Sequence, residues 1–310
     1  MSVDTFKSDP SRSGAPALGA GRDRTTLLAY AGAMGLCFLL TYLPTYMKLA
    51  DTAWRSEQEG HGPLIMLAAV WLAWQQREKL STITLKPAPI AGWIVLLFGL
   101  ALLVVMRSQY LMMVEVFTQI PVLFGCVLLL GGWPLARVFA FPIVFLIFSV
   151  PPPGWLMDAF TVPLKAWISD ITTNFLYDLG YPVAQNGVMI MIGPYQLLVK
   201  DACSGMNSIF ALSAIGIFYI HEFVRNNWFR STVLLLSIIP ITIIANFFRV
   251  LTLVLASYYF GVDAVEGLFH DLTGIALFIF ALFLFFVLDG LLIGLGYGFQ
   301  RLRPKTTATA

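Results

Sequence analysis

Long apolar runs broken by short polar stretches set the pattern of this chain. Eight runs stand out, over 26–46, 62–76, 88–106, 110–131, 133–150, 204–221, 231–258 and 270–297. A bilayer-crossing helix needs about 20 mostly apolar residues. Strands of a membrane β-barrel alternate apolar and polar positions, whereas these runs are apolar on every side. The second and fifth runs are short, and they are expected to tilt or to lie partly within protein. The predicted fold is an all-α polytopic membrane protein, a bundle of about eight transmembrane helices.

The longest stretch between runs is 151–202. Pro151, Pro152 and Pro153 end a helix by clash and lost donors. Beyond them Leu164, Trp167, Ile168, Ile171 and Phe175 recur at helical spacing, with Lys165, Asp170 and Asp178 elsewhere on the surface. That pattern predicts an amphipathic helix lying in the outer interface. The segment Gly187–Lys200 has a Gly-Pro break between two β-rich halves and predicts a short β-hairpin. The hairpin leads directly to Asp201-Ala202-Cys203-Ser204-Gly205.

Composition agrees. Of 310 residues, 58% are hydrophobic and 12% charged, and the mean hydropathy is +0.81. Soluble domains carry about 25% charged residues, so an ordinary cytosolic enzyme and a disordered chain are both excluded. The net charge of +2, with no Lys/Arg run, excludes a nucleic-acid partner. Three cysteines are too few for a disulfide framework, and Cys37 and Cys126 sit inside apolar runs.

Lysines and arginines in short loops orient the spans. With a cytoplasmic N-terminus, 13 of the 19 lie inside, 5 outside (Lys48, Arg55, Arg107, Lys165, Lys200), and Arg249 lies within a span. The expected organisation is a cytoplasmic polar tail over 1–25, a multi-pass domain over 26–297, and a cytoplasmic basic tail over 298–310. The stretch 151–202 then lies outside.

Ionisable groups inside spans are costly, and are functional candidates by default. Arg249 lies in the outer half of the seventh run, with Asn246 three residues earlier on the same helical face. Cys203 precedes the sixth run on the outer side, and His270 begins the eighth there. Three separate spans thus bring a thiol, a guanidinium and an imidazole to one depth. A helix N-terminus or a nearby cation lowers a thiol pKa. Imidazole takes and returns a proton near neutrality. Arginine keeps its proton and suits oxyanion stabilisation. Together they fit covalent attack through a thioester.

Blander readings stand beside this one. A cysteine at a helix start is usually a small packed residue. Arg249 could pair structurally with Asp201, Asp263, Glu266 or Asp271, and His270 beside Asp271 could be a capped helix start. A zinc peptidase needs H-E-x-x-H, and His221-Glu222 lacks the second histidine. A two-carboxylate intramembrane peptidase needs paired aspartates; only Asp289 lies deep in a run, without a visible partner. Ser204 as nucleophile ranks below the thiol, because serine needs a better base. A non-enzymatic alternative is a membrane component of polysaccharide export that binds an anionic ligand through Arg249 and Asn246.

Several spaced motifs resemble the exosortase family, bacterial multi-pass membrane proteins regarded as cysteine transpeptidases. The resemblance covers roughly 50–290. It rests on Ala202-Cys203-Ser204-Gly205, on Asn246-Phe247-Phe248-Arg249, on His270 with Gly274, on Gly60-His61-Gly62-Pro63-Leu64, and on the prolines near 150–154. Met206-Asn207-Ser208 departs from the Leu-Arg-Ser of many members and leaves the substrate subtype open. The resemblance implies Cys203, Arg249 and His270 as the catalytic set, with Asn246, Ser204, Asn207 and His61 as supporting positions; His61 has no assigned role. It further implies substrates anchored in the bacterial inner membrane, bearing a PEP-CTERM-like recognition motif, a hydrophobic span and a basic end. An unknown amine would be the acceptor, and the site would face the periplasm. Neither a metal nor an organic cofactor is implied.

Overall fold

A computed structural model describes residues 20–55, 60–80, 82–198, 205–224, 227–261 and 270–302. The main helices are α1 (Ala20–Asp51), α2 (Gly62–Gln75), α3 (Pro89–Ser108), α4 (Met112–Phe117), α5 (Gln119–Phe145), α6 (Gly154–Asp178), α7 (Gly205–Tyr219), α8 (Trp228–Phe260) and α9 (His270–Leu302). The only strands among the described residues are β1 (Val183–Asn186), β2 (Met189–Ile192) and β3 (Tyr195–Leu198).

The protein is mostly helical and built for a membrane. Among the described residues, five helical stretches are long and apolar enough to cross one: Leu28–Arg55, Pro89–Ser108, Met112–Ser149, Trp228–Phe260 and Leu272–Leu295. The remaining expected runs take other forms. At a rise of 1.5 Å per residue, the 14 residues of α2 reach only about 21 Å. The apolar helix Ile209–Val224 is also short. The fourth and fifth runs form one stretch broken at Gly132, whose φ of 68° and ψ of −157° are open essentially to glycine alone. That kink strands the carbonyls of the preceding turn, and extended backbone from the neighbouring segment answers them. Lys86 N–H donates to the Gly131 carbonyl at 3.1 Å, and Ala88 N–H to that of Leu128 at 3.1 Å.

The chain divides into two compact units, residues 1–48 with 72–144, and residues 49–71 with 145–310. The first holds a buried polar network that the sequence reading did not identify. Arg107 Nε donates to Glu115 at 2.9 Å, and its Nη2 donates to the Thr41 carbonyl and the Thr45 hydroxyl. Thr45 donates to the same Glu115 oxygen at 2.6 Å. Tyr42 pairs with Thr118, and Tyr46 donates to Gln119. Glu115 is buried, and the Arg107 and Thr45 donors on its Oε1 are what make a carboxylate tolerable there.

The second unit carries α6 to α9 and the sheet. In place of the two-stranded hairpin expected over Gly187–Lys200 stands a three-stranded antiparallel sheet ordered β1-β2-β3. The extra strand precedes the expected region, because Asn186-Gly187-Val188-Met189 makes a second tight turn, with Gly187 at φ 63°. The Gly193-Pro194 break is the other turn, with Gly193 at φ 54°. Ile190, Ile192 and Leu197 bury one sheet face against Ile168 and Leu176 of α6 and Val250, Leu253 and Val254 of α8. The amphipathic pattern read over 164–175 belongs to α6, which is longer at both ends.

Candidate functional site

The site rests on α7, α8 and α9 of the second unit, whose relative register follows from three levels of contact. At one end Tyr219 of α7 and Arg230 of α8 both meet Asp289 of α9. Near the middle, a Cβ at Gly216 of α7 would touch Ile238 of α8 and Phe285 of α9 at 3.0 and 3.6 Å. Towards the other end, a Cβ at Gly274 of α9 would lie 3.7 Å from Arg249 Nη2. Numbers rise along α8 where they fall along α9, so these two helices are antiparallel. By the same reasoning α7 runs with α9.

One count then levels three positions. Gly205 precedes Gly216 by eleven residues, Arg249 follows Ile238 by eleven, and Gly274 precedes Phe285 by eleven. Eleven helical residues rise about 17 Å. The first residue of α7, Arg249 and Gly274 therefore share one level of the three-helix group.

Arg249 is only 4% exposed, and Asn246, one turn earlier, only 5%. Both face inward, although Arg249 lies in a helix otherwise apolar enough for a membrane. A guanidinium held there is costly unless something compensates it. Glycine at 274 leaves it room, since any larger side chain would enter its contact shell. His270 is the first residue of α9, one turn before Gly274; its side chain lies outside the described residues. Asn207 lies on α7, and its side chain is likewise outside them. Cys203 and Ser204, which immediately precede α7, fall outside them altogether.

His61 stands just before α2, half-buried. Its carbonyl accepts from Ile65 N–H at 3.1 Å, so it opens that helix. Burial holds its imidazole below the ordinary basicity of histidine. Gly62 beside it is pressed against the Trp54 indole, where a Cβ would overlap.

Asp289 was expected to have no partner, and the structure corrects this. Arg230 grips it through Nε and Nη2, both at 2.5 Å, and Tyr219 donates to it at 2.6 Å. No second carboxylate is involved. The signal in the sequence was faint: Arg230 borders the start of the seventh run, and Asp289 lies in the second half of the eighth, which returns towards that side. The 19 residues from Arg230 to Arg249 along α8 span about 28 Å, which puts this clamp at the far end of the group from Arg249. Among the described residues no group of three or more His, Cys, Asp or Glu is placed to hold a metal.

The profile of the transmembrane exosortase (EpsH) family matches residues 53–287. The chain belongs to that family. No curated protein and no solved structure matches the chain significantly. The family match spans every motif named above, from His61 through the segment preceding α7 to Arg249 and Gly274. It supports a membrane-embedded protein of the exosortase type.

Proposed function

We propose that the chain is a cysteine peptidase or transpeptidase of the inner membrane, cutting C-terminal sorting signals of exported proteins at the periplasmic side. Cys203 is the nucleophile, His270 the acid and base, and Arg249 the oxyanion and thiolate partner. The observation that carries this reading is the burial of Arg249 against Gly274, one helical turn from His270 and level with the residue that opens α7, two positions after Cys203.

The chemistry balances with these groups alone. The Cys203 thiolate attacks the peptide carbonyl carbon, and the electron pair of the C=O moves to oxygen, which becomes an oxyanion beside the Arg249 guanidinium. Collapse expels the amine, which takes its proton from the His270 imidazolium. The resulting thioester is opened by water or by an acceptor amine, either of which loses its proton to neutral His270. Asn246 and Asn207 are proposed as polar contacts of the peptide, and Ser204 and His61 as supporting groups.

Membrane confinement supports the same assignment. A substrate helix held by a basic inner end presents its outer end at a fixed depth, which supplies much of the orientation that cleavage needs. The accompanying topology has eight crossings, with α2, α7 and the two halves of the stretch broken at Gly132 as short spans and both termini cytoplasmic.

Processing of a membrane-anchored substrate tests the proposal. Cys203→Ala should abolish it and Cys203→Ser should leave little, with insertion of both variants unchanged. Processing by Cys203→Ala at the wild-type rate would remove the thiol mechanism. An impermeant thiol reagent added from the periplasmic side should label Cys203 and leave Cys37 and Cys126 unmodified.

A further inference from the structure

Among the described residues β1 and β3 are the two edge strands of the sheet, and the parity of its hydrogen bonds identifies which residues line each outer side. Gly193 N–H donates to the Pro182 carbonyl at 3.0 Å. Backbone groups of successive strand residues point to opposite sides. Met191 and Met189 therefore face β1, while Ile190 and Ile192 face β3. Their register partners in β3 are Leu197 and Tyr195. Gln196 and Leu198 are left with N–H and C=O turned outward.

The two edges differ. On β1, the outward Val183 N–H already donates to the Tyr181 carbonyl at 2.9 Å; each edge strand also packs on a helix, β1 on α6 and β3 on α8. Among the described residues β3 pairs on one side only. Its inner face is anchored by Leu197, while Gln196 is exposed. Rows of unpaired backbone donors and acceptors are templates for another strand.

We infer that the outer edge of β3, at Gln196 and Leu198, is the docking site for the extended recognition segment of the membrane-anchored substrate, which adds there as a fourth strand. This rests on the cysteine-peptidase reading. Backbone pairing with two outward residues offers up to four hydrogen bonds irrespective of side chain, as in other strand-addition complexes. Cys203 follows Leu198 by five positions, so the edge ends within about 18 Å of the nucleophile along the chain. A peptide lying along the edge is extended, as attack on its carbonyl requires, and it hangs from the same strand that leads to the thiol.

Proline substitution tests the edge. At Gln196 proline deletes an outward N–H that the sheet does not use, and its ring blocks an incoming strand. Gln196→Pro should cut substrate processing by about ten-fold or more, the worth of one or two hydrogen bonds. Gln196→Ala and the opposite-edge variant Gln185→Pro should stay within about two-fold of wild type. In parallel, a photo-crosslinking residue at position 196 of the Cys203→Ala protein should capture the substrate's recognition segment, and one at position 185 should not. Capture is decisive where Gln196→Pro fails to accumulate. Wild-type processing by Gln196→Pro, equal loss from both edges, or capture at 196 of a second copy of this chain instead of substrate would overturn the inference. Capture at 196 together with wild-type processing by the Cys203→Ala protein would sink the peptidase reading and keep the edge. Cutting without capture would do the reverse.

Discussion

Arg249 and Gly274 meet across α8 and α9 at 3.7 Å, measured from Nη2 to the position a Cβ would take on the glycine. That spacing is ordinary van der Waals contact for one added carbon, and a large branched side chain is expected to crowd the guanidinium. Gly274→Ala should therefore process substrate at close to the wild-type rate. Gly274→Leu should lose about a hundred-fold, because it pushes the guanidinium from the place where charge develops. Arg249→Lys should not rescue function, since a point charge on a flexible stem lacks the planar donor fork. Steady-state processing in membranes, normalised to inserted protein, measures all three.

Gly132 gives a sharper structural expectation. Its φ of 68° disfavours any side chain, and a Cβ there would overlap the Lys86 carbonyl. Gly132→Ala should cost about 3 kcal/mol or more from strain plus overlap. Gly290→Ala, where a Cβ would meet nothing within 4 Å, should be neutral or mildly stabilising. Thermal unfolding in detergent compares the two. A Gly132→Ala protein as stable as wild type would mean that the break does not depend on glycine.

Hydropathy made the membrane class legible, because apolar runs have to be buried or face lipid. The counting of spans was less legible. A broken helix and two helices at the break carry the same composition, and Gly131-Gly132 reads equally well as a loop or a kink. Polar partners across helices were hardest to find. Asp289 was visible as an oddity, but Arg230 looked like an ordinary loop cation and Tyr219 like part of an apolar run. Glu115 and Arg107 were hidden in the same way, since their pairing depends on helix packing that linear order does not reveal. Arg249 and Asn246 were legible because a guanidinium deep in an apolar run has no bland surface explanation.

The Arg230–Asp289 clamp should act on stability and leave the chemistry alone. Asp289 is buried and Arg230 nearly so. Removing one partner strands the other charge, which typically costs about 3–5 kcal/mol. Asp289→Ala should thus lower the unfolding temperature sharply. The paired replacement Arg230→Met with Asp289→Leu should recover most of the loss, because a matched apolar pair has no stranded charge. Inserted protein of the paired variant should keep wild-type processing, since the clamp lies about 28 Å from Arg249 along α8. Loss of processing without loss of stability would instead give the clamp a part in the reaction.

His61 adds a pH dependence whose sign follows from its burial. Desolvation disfavours the imidazolium, so the folded-state pKa lies below that of the unfolded chain. Above the unfolded value of about 6.5 the ring is neutral in both states and contributes no slope. As pH falls below that value, the unfolded chain takes up the proton first, and stability falls until the folded-state pKa is reached. Wild type should therefore lose thermal stability between neutral and mildly acidic pH, and His61→Phe should lose less over the same window. Unfolding temperatures of the two proteins at matched pH values measure the difference. Parallel curves would mean that burial of His61 has no bearing on the acid sensitivity of the fold, and a larger loss in His61→Phe would mean that the folded protein favours the charged ring.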